Sequence, residues 1–253
     1  MAPSIFAILL LPSILLSCLC VVEFSFISSI VSYIHLQGPL VWQISNSQYD
    51  FSLDRIPAHL HLDAGHVSNA AAGLGFFVGL LGIYIAFAAR RDANPVRSGV
   101  QYDSLATQSI LTKGEKEGAR SRNRAGFVPL SALFLLFATS AVLDFLLTMS
   151  ALIFSFVYDQ MTSSNTISLD IASQEVGHHY TQDNWSPGTW FSAVLALPLA
   201  SQSDRNSVHY HLSVMKASKW MLVPLFIVVF SVMLVSLFGL QRNRKTTIAS
   251  DEE

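Results

Sequence analysis

The sequence lacks the features that most catalytic or disulfide-stabilised proteins carry. Only two cysteines occur in 253 residues, Cys18 and Cys20, and both lie within the first apolar run. No disulfide can therefore join the polar loops. The chain has no phosphate-binding glycine loop ending in Lys-Ser/Thr, no His-Glu-x-x-His, no paired-cysteine metal spacing and no Gly-x-Ser-x-Gly. Enzyme is the least supported class, and we expect no cofactor.

Charged residues are also scarce. They make up 13% of the chain, whereas apolar residues make up 51%, a balance typical of membrane proteins rather than globular ones. The net charge of −2 gives no reason to expect a nucleic-acid partner. Membrane lipids are the expected surroundings.

Four long apolar runs are present instead, over residues 4–34, 69–89, 127–158 and 220–240. Each is long enough to cross a bilayer, which takes about 20 residues. Backbone groups in hydrocarbon must be paired within the segment, so the runs predict helices. The expected fold is all-α, a four-helix transmembrane bundle. The first and third runs exceed the bilayer, so their outer ends should pack against loops 35–68 and 159–219 as a small cap.

Basic residues are distributed unevenly among the loops. Segment 90–126 has eight against four acidic residues, whereas segment 35–68 has one and segment 159–219 has three. The positive-inside rule places segment 90–126 and both termini in the cytosol, in a plasma or secretory-pathway membrane. The predicted division is a retained, signal-anchor-like span 1–34, outer loop 35–68, span 69–89, mobile basic loop 90–126, span 127–158, outer loop 159–219 with short amphipathic helices, span 220–240 and cytosolic tail 241–253.

Two acids lie inside predicted spans, Glu23 and Asp144, and no Lys or Arg is available within a span to pair with them. Such carboxyls are costly in a membrane and suggest function. Both could occupy one layer of the bundle. An interhelical hydrogen bond from a retained proton is the favoured interpretation, with proton or cation handling and partner binding as alternatives. A polar, small-residue stripe follows the third span: Ser140, Asp144, Thr148, Ala151 and Ser155.

Small residues punctuate the second span, at Ala71, Gly75, Gly79 and Gly82. This spacing lets helix backbones approach closely. Packing within the bundle is the favoured interpretation. The alternative is a face that binds a second copy or another membrane protein.

All eight histidines lie in the predicted outer loops. The densest group is His59, His61 and His66 with Asp63. If this segment is extended, imidazole and carboxylate groups could hold a metal or sense external pH. Solvated loop histidines are the commoner explanation.

The longer outer loop contains a helix start, Ser186 followed by Pro187. A sequon at Asn184 is a candidate for glycosylation on the outer side. The tryptophans are expected near the outer membrane interface, as packing or lipid-anchoring residues: Trp42, Trp185, Trp190 and Trp220.

The pattern N-W-S-P-x-x-W-F-x-A-V-L-x-L-P-L, beginning at Asn184 and followed by the last span, is similar to that of uncharacterised four-span fungal integral membrane proteins. The resemblance covers about the C-terminal third. It implies four spans and a fungal source, and it brings no activity or ligand. The first-loop cysteine pair of claudin-type and cortical-patch families is missing.

The sequence as a whole favours a multi-pass membrane protein that organises or assists other membrane proteins. A proton- or metal-linked permease subunit built on Glu23 and Asp144 is one alternative. An outer-side pH sensor using the clustered histidines is another.

Overall fold

The computed structural model describes residues 3–37, 40–45, 47–93 and 130–251. Most of the predicted basic loop 90–126 lies outside these residues. The described elements, in chain order, are helix α1 (Pro3–Gln37), strands β1 (Val41–Ser45) and β2 (Asp50–Asp54), helix α2 (Asp63–Ala93), helix α3 (Leu130–Thr162), and helices α4 (Leu169–Ala172), α5 (Pro187–Leu195) and α6 (Gln202–Asp251).

Four of the helices are long and apolar enough to cross a membrane, over Ile8–Gln37, Asp63–Arg90, Ala132–Thr162 and Gln202–Gln241. Their outward faces expose large apolar side chains, as a lipid-facing surface requires, including Leu11, Phe24, Phe77, Leu143 and Phe238. The protein is a multi-pass integral membrane protein, and the predicted all-α four-helix bundle is confirmed.

The spanning helices form a ring, in which α1 packs on α2 and α6, and α3 packs on the same two helices. The interior between them is apolar over much of its length. Its fully buried side chains include Leu16, Val78, Phe137 and Leu225. Close packing of these side chains supplies the association energy that hydrophobicity cannot supply in lipid.

The helices extend well past the apolar runs in the sequence. Helix α6 has 50 residues, which corresponds to about 75 Å, whereas a hydrocarbon core is about 30 Å thick. Helix α2 starts at Asp63, six residues before the apolar run. The first, polar turns of α2 and α6 meet the last turns of α1 and α3 at one end of the bundle. We call this end the cap end.

The cap, formed by residues 40–45, 47–62 and 163–201, covers this end. Its β1–β2 hairpin is antiparallel, with Val41 opposite Asp54 and Ser45 opposite Asp50. The outer edge of β1 is paired as well, because the amide of Ala200 donates to the Gln43 carbonyl at 2.9 Å. The hairpin was not predicted, although the burial of Trp42 and Ile44 follows the alternation expected of a strand.

Helix α5 begins at Pro187, as the Ser186-Pro187 pair predicts. Ser186 Oγ accepts from the amide of Thr189 at 3.1 Å, and Thr189 Oγ1 accepts from the amide of Ser186 at 3.2 Å. This reciprocal capping box satisfies two amides that the first turn leaves free. Ser186 Oγ also donates to Asp159 at the end of α3, at 3.0 Å. The helix start is thereby fixed to the bundle.

Three of the four tryptophans are packing residues of the cap, one of the two roles expected of them, and their position relative to a membrane interface stays a prediction. Trp42, Trp185 and Trp190 are fully buried in the core of the cap, and the rings of the last two lie 5.0 Å apart, edge to face. The hairpin and α5 bring together side chains distant in sequence, and burying them stabilises the cap. Trp220 is 65% exposed on α6 and remains a candidate interface residue.

Arg55 joins the hairpin to two spanning helices. Its guanidinium forms an ion pair with Asp204 of α6 at 3.0 Å and donates to the side chain of Gln37 at the end of α1. It also lies over the ring of Trp42, 4.2 Å from the centroid. Charge-assisted hydrogen bonds and a cation–π contact therefore converge on the only basic residue of its loop.

We expect Arg55→Met to lower the free energy of unfolding by about 1–2 kcal/mol. Methionine preserves the apolar stem but leaves Asp204 without its partner, and the partial exposure of the pair reduces the loss. Denaturant titration in mild detergent measures the change. In a double-mutant cycle with Asp204→Asn, purely additive losses would contradict the coupling.

Candidate functional site

A cluster of polar groups, which we call the polar cluster, lies inside the bundle towards the cap end. It contains six side chains drawn from all four spanning helices: Cys20 and Glu23 of α1, Ser68 of α2, Asp144 and Thr148 of α3, and Ser218 of α6. All six are buried, and the two acids are fully so. Burial of this many polar groups in a membrane bundle marks the most distinctive chemistry of the described chain.

Glu23 connects three helices. Its Oε1 accepts hydrogen bonds from Ser68 Oγ and from Ser218 Oγ, each at 2.8 Å. Its Oε2 is buried without a hydrogen-bond partner among the described residues. Glu23 therefore takes part in interhelical hydrogen bonds as an acceptor, whereas the predicted bond donated by a retained proton stays a prediction.

Asp144 differs, because neither of its carboxyl oxygens has a partner among the described residues. The hydroxyl of Thr148, one turn further along α3, is also buried and lies close enough to influence this carboxyl, but the two groups do not meet the usual distance and angle limits of a hydrogen bond. The carboxyl rests against Gly75 of α2, where an added Cβ would lie 3.1 Å from Oδ2 and 2.6 Å from Cys20 Sγ. Asp144 is therefore a buried carboxyl that lies against the backbone of α2 and makes no hydrogen bond of the usual geometry with the described residues.

Cys20 lies within electrostatic range of both acids, so the two carboxyls share one region of the bundle. The sequence placed the acids in a common layer but did not assign the thiol or the serines. Ser68 and Ser218 fall just outside the apolar runs 69–89 and 220–240. They lie in the bundle interior because α2 and α6 begin before these apolar runs.

The predicted polar stripe on α3 faces the bundle interior. Ser140, Asp144, Thr148 and Ala151 are buried, and Ser155 is half-buried nearer the cap end. A helix face with this spacing points in one direction, which explains the agreement.

Above the polar cluster, where the spanning helices meet the cap, lies a cavity of about 410 Å³. We call it the vestibule. All four spanning helices and α5 line it, and Ser68 and Ser218 form part of its wall nearest the polar cluster. Pockets that bind small molecules usually have 300–1,000 Å³. The vestibule has the volume of such a pocket.

Lys219 and Asp159 form an ion pair at the side of the vestibule, with Nζ 2.6 Å from Oδ2. The same ammonium lies over the ring of Phe156, 4.5 Å from its centroid. Since Asp159 Oδ1 accepts from Ser186, both oxygens of this carboxyl have donors. The pair joins the end of α3 to α6 beside the start of α5.

The histidine group does not form a metal site. Within the part of the chain that the structure describes, no three His, Cys, Asp or Glu side chains gather as metal ligands. The segment is not one extended strand: His59 lies in a turn, Asp63 opens α2, and His66 is exposed one turn later. His61 Nδ1 lies 3.8 Å from Asp63. Its Nε2 lies 3.3 Å from Asn184 Oδ1.

Two cap tyrosines have raised pKa values for different reasons. A hydrogen bond to Asp170 raises the pKa of Tyr49, which is otherwise solvent-exposed. Burial in the aromatic core raises the pKa of Tyr180, whose hydroxyl donates to Gln182 at 2.6 Å. Both hydroxyls therefore stay protonated at neutral pH, and they hold the cap together without titrating there.

The small-residue face of α2 is occupied by α1. An added Cβ at Gly79 would lie 2.2 Å from Ser17 Oγ, and one at Gly82 would lie 2.3 Å from Ser13 Oγ. Ala71 is also buried. These residues pack within the chain, as the favoured interpretation holds. Association through α2 with a second copy or with another membrane protein stays a prediction.

Comparison with known proteins finds no family model, no curated protein and no solved structure that matches the chain. The likeness of the C-terminal third to fungal four-span proteins stays a prediction. The site must be interpreted from its own geometry.

Asn184 is exposed in the cap, directly before the buried Trp185. Its backbone carbonyl accepts from the side chain of Asn165 at 2.7 Å. The side chain remains accessible, so glycosylation of this sequon also stays a prediction.

Proposed function

We propose that the protein is an accessory or organising subunit of a membrane assembly and that it binds its partner through the cap. The observation that carries this proposal is that the cap is folded around an aromatic core, shared with the ends of α1 and α6, and is fixed to the bundle by the Arg55–Asp204 ion pair and the hydrogen bond from Ser186 to Asp159. A rigid surface of this kind suits recognition, because little ordering is needed on binding.

The cap also offers apolar side chains to a partner. Ile171 and Val176, on and after α4, are 39% and 44% exposed. In our proposal the cap faces the cell exterior or a lumen and both termini face the cytosol, since the basic segment 90–126 connects, in the sequence, the end of α2 and the start of α3 that are remote from the cap. This orientation would allow Asn184 to carry a glycan.

A proton-linked permease subunit is the second candidate, and the unpartnered carboxyl of Asp144 favours it. The rest of the bundle interior argues against a path through one chain. Past the polar cluster, away from the cap, the core is mainly apolar, with Leu9, Phe134 and Phe137 among its side chains, and the buried hydroxyls of Ser13 and Ser17 bond to carbonyls of their own helix. A conduction path would need polar groups or water there.

Cross-linking in cells followed by affinity isolation tests the first proposal. We expect Ile171→Ser with Val176→Ser to reduce the recovered partner at least several-fold, since the buried centre of an interface is more apolar than its rim. The comparison variant, Glu23→Gln with Asp144→Asn, should recover the partner in full. An unchanged yield with the cap variant, at equal expression, would contradict the proposal.

Proton flux into vesicles that contain the purified protein tests the permease candidate separately from partner binding. Measurable flux that disappears in the Glu23→Gln, Asp144→Asn variant, with partner recovery intact, would favour the permease. No flux in either protein would retire it for the isolated chain.

A further inference from the structure

The vestibule combines an apolar wall with a polar side. Its apolar lining comes from α1, the segment before α2, and α6, and includes Ile27, Ile30, Leu62, Met215 and Leu222. Hydroxyls from α3, α5 and the neighbouring loop provide the other side. A space of this kind fits a molecule that has an apolar chain and a polar head.

The carboxylate and the imidazole that line the vestibule already have polar neighbours. Asp159 accepts from Ser186 with one oxygen and from Lys219 with the other. Both ring nitrogens of His61 face polar neighbours, Asp63 and Asn184. A ligand head that needs acceptors, such as an ammonium group, would find none free among these side chains.

Two hydrogen-bond donors that line the vestibule, in contrast, have no partner among the described residues. No described residue forms a hydrogen bond or ion pair with the ammonium of Lys216, and the buried hydroxyl of Tyr158 has no partner in the described chain. Lys216 and Lys219 bring two positive charges and Asp159 one negative, so the Lys, Arg, Asp and Glu side chains of the lining leave one positive charge. Glu23 does not line the space. Charge and free donors both favour an anionic head.

We propose that the vestibule binds a single-chain amphiphile with an anionic head, a carboxylate or a phosphate. The head accepts from Lys216 and Tyr158, and the acyl chain lies along the apolar wall of α1 and α6. The volume of about 410 Å³ is that of a drug-sized pocket and accommodates one chain rather than a complete two-chain lipid. This binding requires no protein partner, so it is independent of the function proposed for the cap.

Thermal unfolding of the protein in phosphatidylcholine nanodiscs tests the proposal. Four probes with the same chain differ in the head: dodecanoate, dodecyl phosphate, dodecyl maltoside and dodecyltrimethylammonium. We expect only the two anionic probes to raise the unfolding midpoint, saturably, because a ligand of the native state stabilises it by mass action. An equal or larger rise with the cationic or neutral probe would overturn the proposal.

A glycine pair on α2 offers matched variants for the location. An added Cβ at Gly65, in the vestibule wall, meets Ile27 and Val31 only at 3.8 and 3.9 Å, whereas one at Gly73 meets nothing within 4 Å. We expect Gly65→Leu to fill part of the space and abolish the rise with dodecanoate. Gly73→Leu should retain it. The same rise in both variants would place the probe elsewhere and overturn the assignment.

Lys216 tests the contribution of charge. Lys216→Gln should increase the dodecanoate concentration for half-maximal effect about tenfold, the loss expected for one charge-assisted contact, whereas Lys216→Arg should change it little. No difference between the two variants would remove Lys216 from the site. A last experiment uses nanodiscs that contain phosphatidic acid. If only this two-chain lipid raises the unfolding midpoint, and if Gly65→Leu abolishes that rise, the single-chain assignment is overturned.

Discussion

Gly79→Ala is expected to destabilise the bundle by about 3 kcal/mol, although it adds only one methyl group. The new Cβ would lie 2.2 Å from Ser17 Oγ, 2.9 Å from the Ser13 carbonyl oxygen and 3.1 Å from the Ser17 nitrogen. The hydroxyl can rotate, but two of these atoms belong to the backbone of α1. The helices must therefore separate, and separation forfeits packing along their whole contact.

The control is Gly73→Ala on the same helix. An added Cβ there meets nothing within 4 Å and points away from α1, so the substitution should be neutral or slightly stabilising through helix propensity. Unfolding in mixed detergent, and the yield of folded protein, compare the two variants. Equal stability would mean that α1 and α2 do not approach as closely as described.

The same pair of variants bears on self-association through α2. If this face packs only within the chain, Gly79→Ala weakens the fold without changing the fraction of cross-linked dimer among the folded molecules. A dimer that disappears while the monomer keeps its stability would restore the oligomer interpretation. The burial of Gly79 and Gly82 against two serines of α1 favours the first outcome.

The spanning helices were predictable from sequence because apolar length alone decides whether a segment can cross lipid. The ends of these helices could not be predicted. Helices α2 and α6 extend through polar residues that an average over apolar runs excludes, and these polar turns contain Ser68 and Ser218. The buried acids could therefore be identified from sequence, whereas the residues that satisfy one of them could not.

In the cap, one element follows from a local sequence pattern, whereas the burial of a tryptophan depends on contacts that are distant in sequence. The capping box at Ser186 is a local pattern, and helix α5 follows from it. The burial of Trp42 depends on its pairing with Leu53 across the hairpin and on segment 198–200 beyond it. Because these contacts are so distant in sequence, packing or lipid anchoring could be predicted for the tryptophans, whereas the cap core that they form could not.

Glu23→Leu is the second large effect that we expect, a loss of about 3 kcal/mol. The substitution removes the acceptor shared by Ser68 and Ser218, and each buried hydroxyl left without a partner costs about 1–3 kcal/mol. Rotation of either serine towards a carbonyl of its own helix would recover part of this. Glu23→Gln keeps an oxygen acceptor and should lose less than about 1 kcal/mol.

Asp144→Leu is the matched comparison, because Asp144 is equally buried but makes no hydrogen bond with the described residues. Replacing an unsatisfied polar group by an apolar one of similar size is nearly neutral or stabilising, so this variant should unfold within about 1 kcal/mol of the unaltered protein. A pronounced collapse of Asp144→Leu that Asp144→Asn rescues would reveal a partner for this carboxyl, such as a buried water. Conservation of the fold with loss of a cellular function would instead mean that Asp144 is retained for its chemistry, since stability would then give no reason to keep a carboxyl at this position.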